Sequence, residues 1–397
     1  MVVESGWPKS EVCDQMSSIG DVLPQRKLLS NVDPALLHSW HPVARSTDVG
    51  ENPHRVTLMG EAWVLYRHEG EIEAFVDQCP HRLAPLSLGR CRESGLECAY
   101  HGWRFDHSGQ CIEIPALPPE ARRPERARLS AAAGITERFG MVYLAPRTPL
   151  SPPPEHESVV NSRFQVGELP IIATRASAGF LCDNFIDLAH FPFLHASTFA
   201  SEDAVTVGTA EISYDDHGFC AIYEHEFANR EDPGVQSGLR PLIQRRKLTY
   251  QYHAPFTLFL TIDFLTSGGT NIIGFFVQPV NEEECVIFST LWRDDLGGDP
   301  QAMKSAIEFE RAIIEEDLWL QRQMPSLVLP LDPTIEVHTR ADAMTLALRK
   351  VLRAHLERFD QWNRHTALSS SHSAMSAQAQ TRLRERDRSQ PTREKAR

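Results

Sequence analysis

The chain has 397 residues, of which 42% are hydrophobic and 23% charged, and its formal net charge is −13 at pH 7. This length exceeds the range in which one hydrophobic core keeps growing, so we expect two domains. The acidic balance argues against nucleic acid as the main partner. No apolar run approaches the ~20 residues of a membrane helix and no signal peptide is evident, so we expect a cytoplasmic protein without a membrane partner.

The first predicted domain comprises residues 37–150 and consists of short β-strands. Alternating runs at residues 54–58, 62–66 and 72–76 are separated by turn signals, and residues 139–144 predict a closing strand. A proline-rich spacer follows and marks the clearest domain boundary. We therefore predict a small antiparallel β domain, and the residues before 37 are too weakly patterned to be assigned a role.

Two Cys-His pairs lie inside this predicted β domain. Cys79 and His81 form a C-x-H pair, and Cys98 and His101 form a C-x2-H pair after sixteen intervening residues. Zinc binds two cysteines and two histidines, but usually with both cysteines in one pair. A Rieske [2Fe–2S] centre holds one iron by two thiolates and the other by two imidazoles. The interleaved pairs favour such a cluster, and a structural zinc site is the alternative.

The remaining cysteines are expected to be free thiols. They are scattered along a chain that shows no export signal, so disulfides are disfavoured and most of these residues are expected to be small core residues. They are Cys13, Cys91, Cys111, Cys182, Cys220 and Cys285.

The second predicted domain comprises residues 157–362 and mixes helices with long strands. Residues 178–195 predict a helix entry followed by a loop, residues 204–292 contain long β-type runs, and residues 299–324 and 341–359 predict helices. Together with the first domain this gives an α+β chain. After residue 362 the sequence turns to Ser, Gln, Arg and Glu, so we expect residues 363–397 to be a disordered tail.

Asp187, His190 and His195 form the second informative pattern. Asp187 and His190 are three residues apart, on one face if the segment is helical, and Pro192 is expected to interrupt that helix. Two histidines and one carboxylate with open positions form the facial triad of non-haem Fe(II) oxygenases. Taken alone, D-x2-H-x4-H is a weak motif, and its significance depends on the Cys-His pairs upstream.

Over roughly residues 37–360 the chain resembles the oxygenase component of Rieske non-haem iron oxygenases, in the vanillate/phthalate oxygenase branch. The matching pieces are CPHR, CAYHGWRFD, SGQC and the N-x2-D-x2-H-x4-H pattern that begins at Asn184. The resemblance implies a β Rieske domain followed by a helix-grip-type α+β catalytic domain. It also implies one [2Fe–2S] cluster, held by the two Cys-His pairs, and one mononuclear Fe(II) per subunit.

The resemblance also implies roles around the mononuclear iron. His190 and His195 would bind it, with a third ligand from a late helix. We choose Asp317 for that ligand, and Glu316 is the alternative one residue away. Asp187 would link His190 to a cluster histidine of a neighbouring subunit. Asn184 would line the same site as a polar neighbour.

The partners implied by the resemblance are a small-molecule substrate, O2 and a separate reductase that takes electrons from NAD(P)H, with a ferredoxin as an optional intermediary. A homotrimer is implied, in which each cluster serves the iron of the neighbouring subunit. Arg82, Arg90 and Arg92 flank the first Cys-His pair, and they could form a basic rim for an acidic ferredoxin or an ordinary solvated loop.

The leading functional hypothesis is monooxygenation or oxidative O- or N-demethylation of an aromatic or heterocyclic small molecule. The runner-up is cis-dihydroxylation of an aromatic ring. From other classes, a Rieske electron carrier without oxygenase activity would lack the second iron site, and a zinc-stabilised binding module would lack an iron–sulfur chromophore. The identity of the substrate depends on which strand faces point inward, which a one-residue change of register reverses.

Overall fold

The computed structural model describes residues 26–157, 159, 163–196, 198, 205–229 and 233–388. Residues 1–25, which contain Cys13, and residues 389–397 lie outside the described residues. The seven cysteines in the described part of the chain are all free thiols. Cys91 and Cys220 are partly buried, and the other five are buried. The prediction of free cysteines is therefore confirmed for the described residues.

The N-terminal domain is built from short antiparallel strands. The predicted runs at residues 54–58, 62–66 and 72–76 all form strands. In the middle one the central residues are buried on both faces, Trp63 and Leu65 in one core and Val64 and Tyr66 in another. The strands in chain order are β1 (Leu28–Leu29), β2 (His41–Arg45), β3 (His54–Leu58), β4 (Glu61–His68), β5 (Glu71–Val76), β6 (Arg90–Arg92), β7 (Gly95–Glu97), β8 (Arg104–Phe105), β9 (Cys111–Glu113), β10 (Gly134–Arg138) and β11 (Met141–Ala145).

Three small sheets share this domain, with strand orders β10-β11-β2, β3-β4-β5 and β6-β7-β8-β9. The predicted closing strand starts two residues later than expected. Phe139 and Gly140 have φ values of 58° and 77° and form the turn of the β10–β11 hairpin instead. Strand β1 pairs with a strand of the second domain, so the described residues before 37 lie against that domain.

The C-terminal domain carries one large antiparallel sheet with the order β12-β19-β18-β17-β16-β15-β14, and β13 also pairs with β19. Its strands are β12 (Gln165–Glu168), β13 (Ile172–Arg175), β14 (Glu211–Tyr214), β15 (Gly218–Ala228), β16 (Ile243–His253), β17 (Thr257–Phe264), β18 (Thr270–Pro279), β19 (Glu284–Arg293) and β20 (Leu329–Pro330). Its helices are α1 (Ala178–Ile186), α2 (Phe191–Leu194), α3 (Pro233–Gln236), α4 (Pro300–Gln321) and α5 (Ala343–Arg388).

The two faces of this sheet bury different partners. On β18, Ile273, Phe275 and Val277 belong to the core shared with α1, α4 and α5, whereas Ile272 and Phe276 belong to an aromatic cluster on the other face. The alternation follows from the two-residue period of a strand. The sheet is therefore covered by helices on one side and by the N-terminal domain on the other, and the α+β prediction is confirmed.

Local signals explain where the helices that carry the site begin. Ser177 accepts a hydrogen bond from the backbone N–H of Phe180 at the start of α1, and Asp299 accepts one from Gln301 at the start of α4, with Pro300 in the first turn. The expectation that Pro192 interrupts a helix is wrong. Helix α1 already ends at Ile186, and Pro192 lies in the first turn of α2, where its missing N–H is not needed.

The N-terminal domain is attached to the sheet by side-chain packing and hydrogen bonds. Met141 and Tyr143 of β11 lie in the aromatic cluster with Phe259 and Phe276 of the sheet. The hydroxyls of Tyr143 and Thr257 lie 3.2 Å apart, and both residues are buried. Packing on this scale holds the two domains in one relative orientation within the chain.

Of the expected disordered tail at residues 363–397, residues 363–388 are helical, and residues 389–397 lie outside the described residues. Helix α5 continues past residue 362 to Arg388. The segment has few large apolar residues, but it is rich in Ala, Gln, Glu and Arg, which are strong helix formers.

None of the helices in the described part of the chain combines the length and apolarity needed to cross a membrane.

Buried neutral histidines make the folded state sensitive to acid. Burial lowers the pKa of His41 to about 4 and that of His355 to about 3, and Nε2 of His355 lies 2.7 Å from Oγ of Ser39. The unfolded chain takes up protons on these rings below about pH 6.5, before the folded chain does. The contribution of these two histidines to the free energy of unfolding is therefore fully present above pH 6.5 and is lost as the pH falls toward 4.

We expect the midpoint of urea unfolding to decrease progressively from pH 6.5 to pH 4.5. The variant His355→Asn can keep a hydrogen bond to Ser39 without titrating, so its unfolding midpoint should change less over the same interval. An unfolding midpoint that is constant over this interval would contradict this account. So would a variant whose midpoint depends on pH as steeply as that of the wild type.

Candidate cluster site and candidate mononuclear metal centre

The two Cys-His pairs occupy two loops with the same backbone frame. In each loop the cysteine N–H donates to the carbonyl five residues on, Ala84 for Cys79 and Trp103 for Cys98. The fourth residue after each cysteine returns a hydrogen bond to the cysteine carbonyl and has positive φ, 58° at Leu83 and 68° at Gly102. Glycine adopts that conformation without steric cost, whereas Leu83 incurs a cost of roughly 1 kcal/mol.

The loops bring the four predicted cluster residues together. Cys79 and Cys98 are buried, and burial together with the neighbouring Cys98 thiol raises the pKa of Cys79 to about 12. The rings of His81 and His101 are 4.5 Å apart, centroid to centroid. Nδ1 of His81 is buried and has no hydrogen-bond partner among the described residues. Thiols in this setting become thiolates when a bound cation compensates their charge, so the residues fit a metal cluster.

The two imidazoles lie at the outer edge of this site. The ring of His81 stacks on the indole of Trp103 with centroids 4.5 Å apart, which fixes its plane. His101 is exposed, and the neighbouring side chains of Leu83 and Tyr100 are 66% and 65% exposed. The thiol side is therefore buried in the domain, and the imidazole side faces out of it.

Three atoms converge at the candidate mononuclear centre. Nε2 of His190 and Nε2 of His195 are 3.1 Å apart, and Oδ1 of Asp317 is 3.4 Å from the first and 3.3 Å from the second. A metal ion about 2.1 Å from each ligand in a facial arrangement needs ligand–ligand edges of about 3.0 Å. The triangle has the size that such an ion requires. His190 lies just before α2, His195 just after it, and Asp317 lies in α4.

Hydrogen bonds at the far side of each ring orient the two imidazoles. Nδ1 of His190 donates to Oδ2 of Asp187 at 3.1 Å, and Nδ1 of His195 donates to Oε2 of Glu316 at 2.6 Å. With the proton on Nδ1, each neutral ring directs the lone pair of Nε2 at the other ring and at Asp317. Three acceptor atoms that face each other need a cation between them.

The two neighbouring carboxylates of α4 have different positions. Asp317 faces the two Nε2 atoms, whereas Glu316 lies behind His195 and also accepts from the hydroxyl of Thr198 at 2.6 Å. Of the two residues that the sequence offered as a third ligand, only Asp317 belongs to the cluster of potential metal ligands found in the described residues. Sequence spacing could not predict the contact of Glu316 with Nδ1 of His195.

Asn184 is a neighbour of the third ligand position. Its Nδ2 lies 3.4 Å from Oδ1 of Asp317, and its Oδ1 accepts a hydrogen bond from Nε2 of Gln321 at 3.0 Å. The structure thus brings Asn184, Asp187, His190, His195 and Asp317 together as the sequence predicted. Gln321 lies one helical turn after Asp317 and therefore on the same face of α4.

The electrostatics of the triad favour a cation. Burial lowers the pKa of His190, but the hydrogen bonds and charges of Asp187 and Asp317 outweigh burial and raise this pKa to about 9. For Asp317, burial raises the pKa, while hydrogen bonds and charges from the two histidines lower it overall. The carboxylates that favour a proton on the imidazole also favour a metal ion bound by it.

A cavity of about 120 Å³ opens beside the triad, between the helices and the sheet. Most of its wall is apolar or aromatic, and His190, His195 and Asp317 form part of it. The apolar wall consists of Phe185, Phe191, Phe227, Leu248, Leu260, Ile262, Phe264, Ile273, Phe309 and Ile313. A flat organic molecule in this cavity would lie against the candidate metal position.

The cavity also has a polar part that the sequence did not reveal. On β16, Arg246, Leu248 and Tyr250 point into it at alternate positions, and Asn271 of β18 and Glu310 of α4 lie across from them. Burial lowers the pKa of Arg246 to about 10, so the guanidinium stays charged at neutral pH. The hydroxyl of Tyr250 is buried without a hydrogen-bond partner among the described residues. These groups can bind polar atoms of a substrate.

The proposed basic rim is partly neutralised. Arg90 and Arg92 both contact the carboxylate of Glu97, at 2.6 and 3.2 Å, so they share one counter-ion. Arg82 is exposed beside His81. The rim keeps an excess of positive charge, because three arginines face one carboxylate.

Comparison with known proteins agrees with both sites. Residues 39–132 match the Rieske [2Fe-2S] domain, and residues 174–358 match the vanillate O-demethylase oxygenase C-terminal domain. A curated relative is methylxanthine N3-demethylase NdmB of Pseudomonas putida, which is 28% identical over 335 residues and covers 79% of this chain and 88% of its own.

Two solved structures show the same fold. The structure of Pseudomonas putida NdmA with caffeine has a TM-score of 0.70 at 23% identity and covers 81% of this chain and 96% of its own. Dicamba monooxygenase bound to 3,6-dichlorosalicylic acid has a TM-score of 0.67 at 18% identity and covers 83% and 98%. With both domains matched in the expected order, this chain belongs to the Rieske non-haem iron oxygenases, as an oxygenase component with a vanillate O-demethylase-type catalytic domain.

Proposed function

We propose that this chain catalyses O2-dependent monooxygenation or oxidative O- or N-demethylation of an aromatic or heterocyclic small molecule. The observation that carries the proposal is the position of His190, His195 and Asp317 in the wall of a mainly apolar cavity with a polar part. The relatives named for methylxanthine demethylation and for dicamba support the same reaction type. The polar part suits a substrate with carbonyl, amide or carboxylate groups.

The four residues of the N-terminal loops have divided roles in this proposal. Cys79 and Cys98 hold one iron of the [2Fe–2S] cluster as thiolates, and His81 and His101 hold the other. The duplicated loop frame supports this assignment because it presents one thiol and one imidazole from each loop. The domain limits of 37–150 and 157–362 remain part of the same proposal.

Residues around the mononuclear centre position groups and protons. When bound, the cluster supplies electrons singly and the mononuclear iron activates dioxygen. Asp187 and Glu316 each keep a proton on Nδ1 of a ligand histidine, so that Nε2 stays a lone-pair donor. The apolar wall excludes water and holds the reacting carbon beside the triad. Demethylation consumes one O2, two electrons and two protons, and it yields the demethylated product, formaldehyde and water.

Electron transfer between neighbouring subunits of a homotrimer fits the exposure of both sites. The Asp187 side chain is 31% exposed although it accepts two hydrogen bonds within its own loop. His101 is exposed in the other domain. One large exposed side chain lies near each position, Tyr100 beside His101 and Phe193 close to His190. Both side chains are available for contact with another subunit.

The electron donor in this proposal is a separate NAD(P)H-dependent reductase, with or without a ferredoxin. The excess positive charge of Arg82, Arg90 and Arg92 over Glu97 supports docking of an acidic partner near the cluster. Ring cis-dihydroxylation is the alternative reaction, because the same triad and cavity would serve it. A Rieske electron carrier does not account for the matched oxygenase domain or the triad. A cytoplasmic location stays a prediction from the sequence.

Product analysis under ¹⁸O2 tests the reaction type. With a panel of methylated and unmethylated aromatic and heterocyclic compounds and a surrogate reductase, we expect incorporation of one oxygen atom, or release of labelled formaldehyde in step with product. A diol that carries two labelled oxygen atoms would show that the alternative reaction is correct.

Metal analysis tests the assignment of the third ligand. We expect three irons per chain in the wild type, and two irons with an unchanged visible spectrum in His190→Ala and in Asp317→Ala. Glu316→Gln removes charge but keeps an acceptor for Nδ1 of His195, so it should retain iron with roughly 10–100-fold lower affinity. Full loss of the third iron in Glu316→Gln and its retention in Asp317→Ala would reverse the assignment.

Coproduction of two deficient chains tests transfer between subunits. Cys98→Ser chains should lack the cluster and His190→Ala chains the mononuclear iron, so each variant alone should be inactive. Mixed assemblies should regain a substantial part of the activity, because a complete pair of sites then forms across an interface. Mixed trimers that remain as inactive as the single variants would argue for transfer within one chain.

A further inference from the structure

A second, smaller chamber lies behind the candidate iron site. It occupies about 60 Å³ between helices α1 and α4 and the inner face of strands β18 and β19. Its wall is predominantly apolar, and the residues that line it but not the larger cavity include Leu181, Phe275, Ile287, Ile314 and Leu318. The mechanism described above leaves this space without a role.

The chamber adjoins both the iron ligand and the substrate cavity. Asp317 and Asn184 line the chamber and the larger cavity alike, and Phe185 stands between them, stacked on Phe275 with ring centroids 4.5 Å apart. A molecule in the chamber would therefore reach the candidate metal position from beside Asp317 and Asn184. The rest of the chamber wall is not shared with the larger cavity.

The chamber also has a solvent side of its own. Gln321, at the end of α4, lines both the chamber and a large surface groove between the β1–β20 ribbon, β13 and the end of α4. Its Nε2 donates to Asn184, and its Oε1 is buried without a hydrogen-bond partner among the described residues. Gln321 is the residue common to the walls of the chamber and of this groove, which has a volume of about 1140 Å³.

The size and polarity of the chamber restrict what it can hold. A water-sized probe needs roughly 10–15 Å³ by the same measure, so a diatomic molecule fits the chamber and an aromatic ring does not. Small apolar cavities stay dry and take up apolar ligands such as xenon. The surface of the chamber is mostly apolar, and the polar residues in its wall are Asn184, Ser289, Glu310, Asp317 and Gln321.

We propose that this chamber is a dioxygen site that serves the mononuclear iron by a route separate from that of the organic substrate. The proposal rests on the oxygenase function proposed above, but not on the identity of the substrate. Once the substrate fills the larger cavity, the gas needs another approach to the metal, and the chamber provides it beside Asp317. Leu181, Ile287, Ile314 and Leu318 form the apolar part of the site.

Xenon and dioxygen kinetics test this proposal independently. In crystals pressurised with xenon, we expect a xenon atom in the wild-type chamber and none in Ile314→Phe, whose ring would fill it. Ile314 lines the chamber but not the larger cavity. Xenon binding needs no turnover, so this result stands even if the proposed substrate class is wrong.

In steady-state assays with the best substrate of the panel, Ile314→Phe should raise the KM for O2 by about five-fold and leave the KM for the organic substrate unchanged. Ile314→Met provides a milder variant with a smaller rise in case the phenylalanine variant fails to fold. Leu320→Phe, at an exposed position of the same helix, is the matched control and should change neither constant.

Two outcomes would overturn the proposal. One is xenon density in the larger cavity only, with none in the wild-type chamber. The other is a rise in the KM for the organic substrate with an unchanged KM for O2, which would make the chamber an extension of the substrate cavity.

Discussion

The structure depends on three acceptor atoms that are held within 3.4 Å of one another, the Nε2 atoms of His190 and His195 and a carboxylate oxygen of Asp317. Without a cation, these lone pairs repel one another in a partly buried position, and the packing of α1 and α4 on the sheet has to hold them in place. Glu316 and Asp187 contribute by fixing the tautomer of each ring. Part of the free energy of folding therefore offsets the repulsion at the candidate metal site. The larger cavity lies directly beside this site.

The large sheet serves both halves of the molecule. Its inner face carries the helices and the cavity, and its outer face buries aromatic residues against the N-terminal domain. This aromatic contact fixes the direction in which the cluster loops point. The imidazole edge of the candidate cluster site and the Asp187 edge of the candidate metal centre are both at the surface.

The helix α4 links most of the functional groups. Over about three turns it contributes Glu310 and Ile313 to the cavity wall, Asp317 to the candidate metal triad, Glu316 to the back of His195 and Gln321 to the wall of the small chamber. Successive residues of a helix are rotated by about 100°, so one helix can serve several spaces at once. Small rotations of this helix would therefore affect ligand geometry, cavity shape and the chamber together.

The sequence alone predicted the candidate ligand residues and the order of the two domains, and the structure confirms the fold class. The interleaved Cys79/His81 and Cys98/His101 pairs and the Asp187–His190–His195 spacing are local patterns, and alternating runs predicted strands β3 to β5 and the long strands of the sheet. The tertiary structure favours Asp317 over Glu316 as the third ligand, because neighbouring helix residues point in different directions and the packing of α4 turns Asp317 toward the two histidines. It also placed Arg246, Tyr250 and Gln321, and it revealed both cavities, since contacts between residues more than a hundred positions apart leave no periodic signal in one sequence. The path of the chain beyond residue 362 was missed because composition measures the tendency to form a core, whereas helix propensity acts locally.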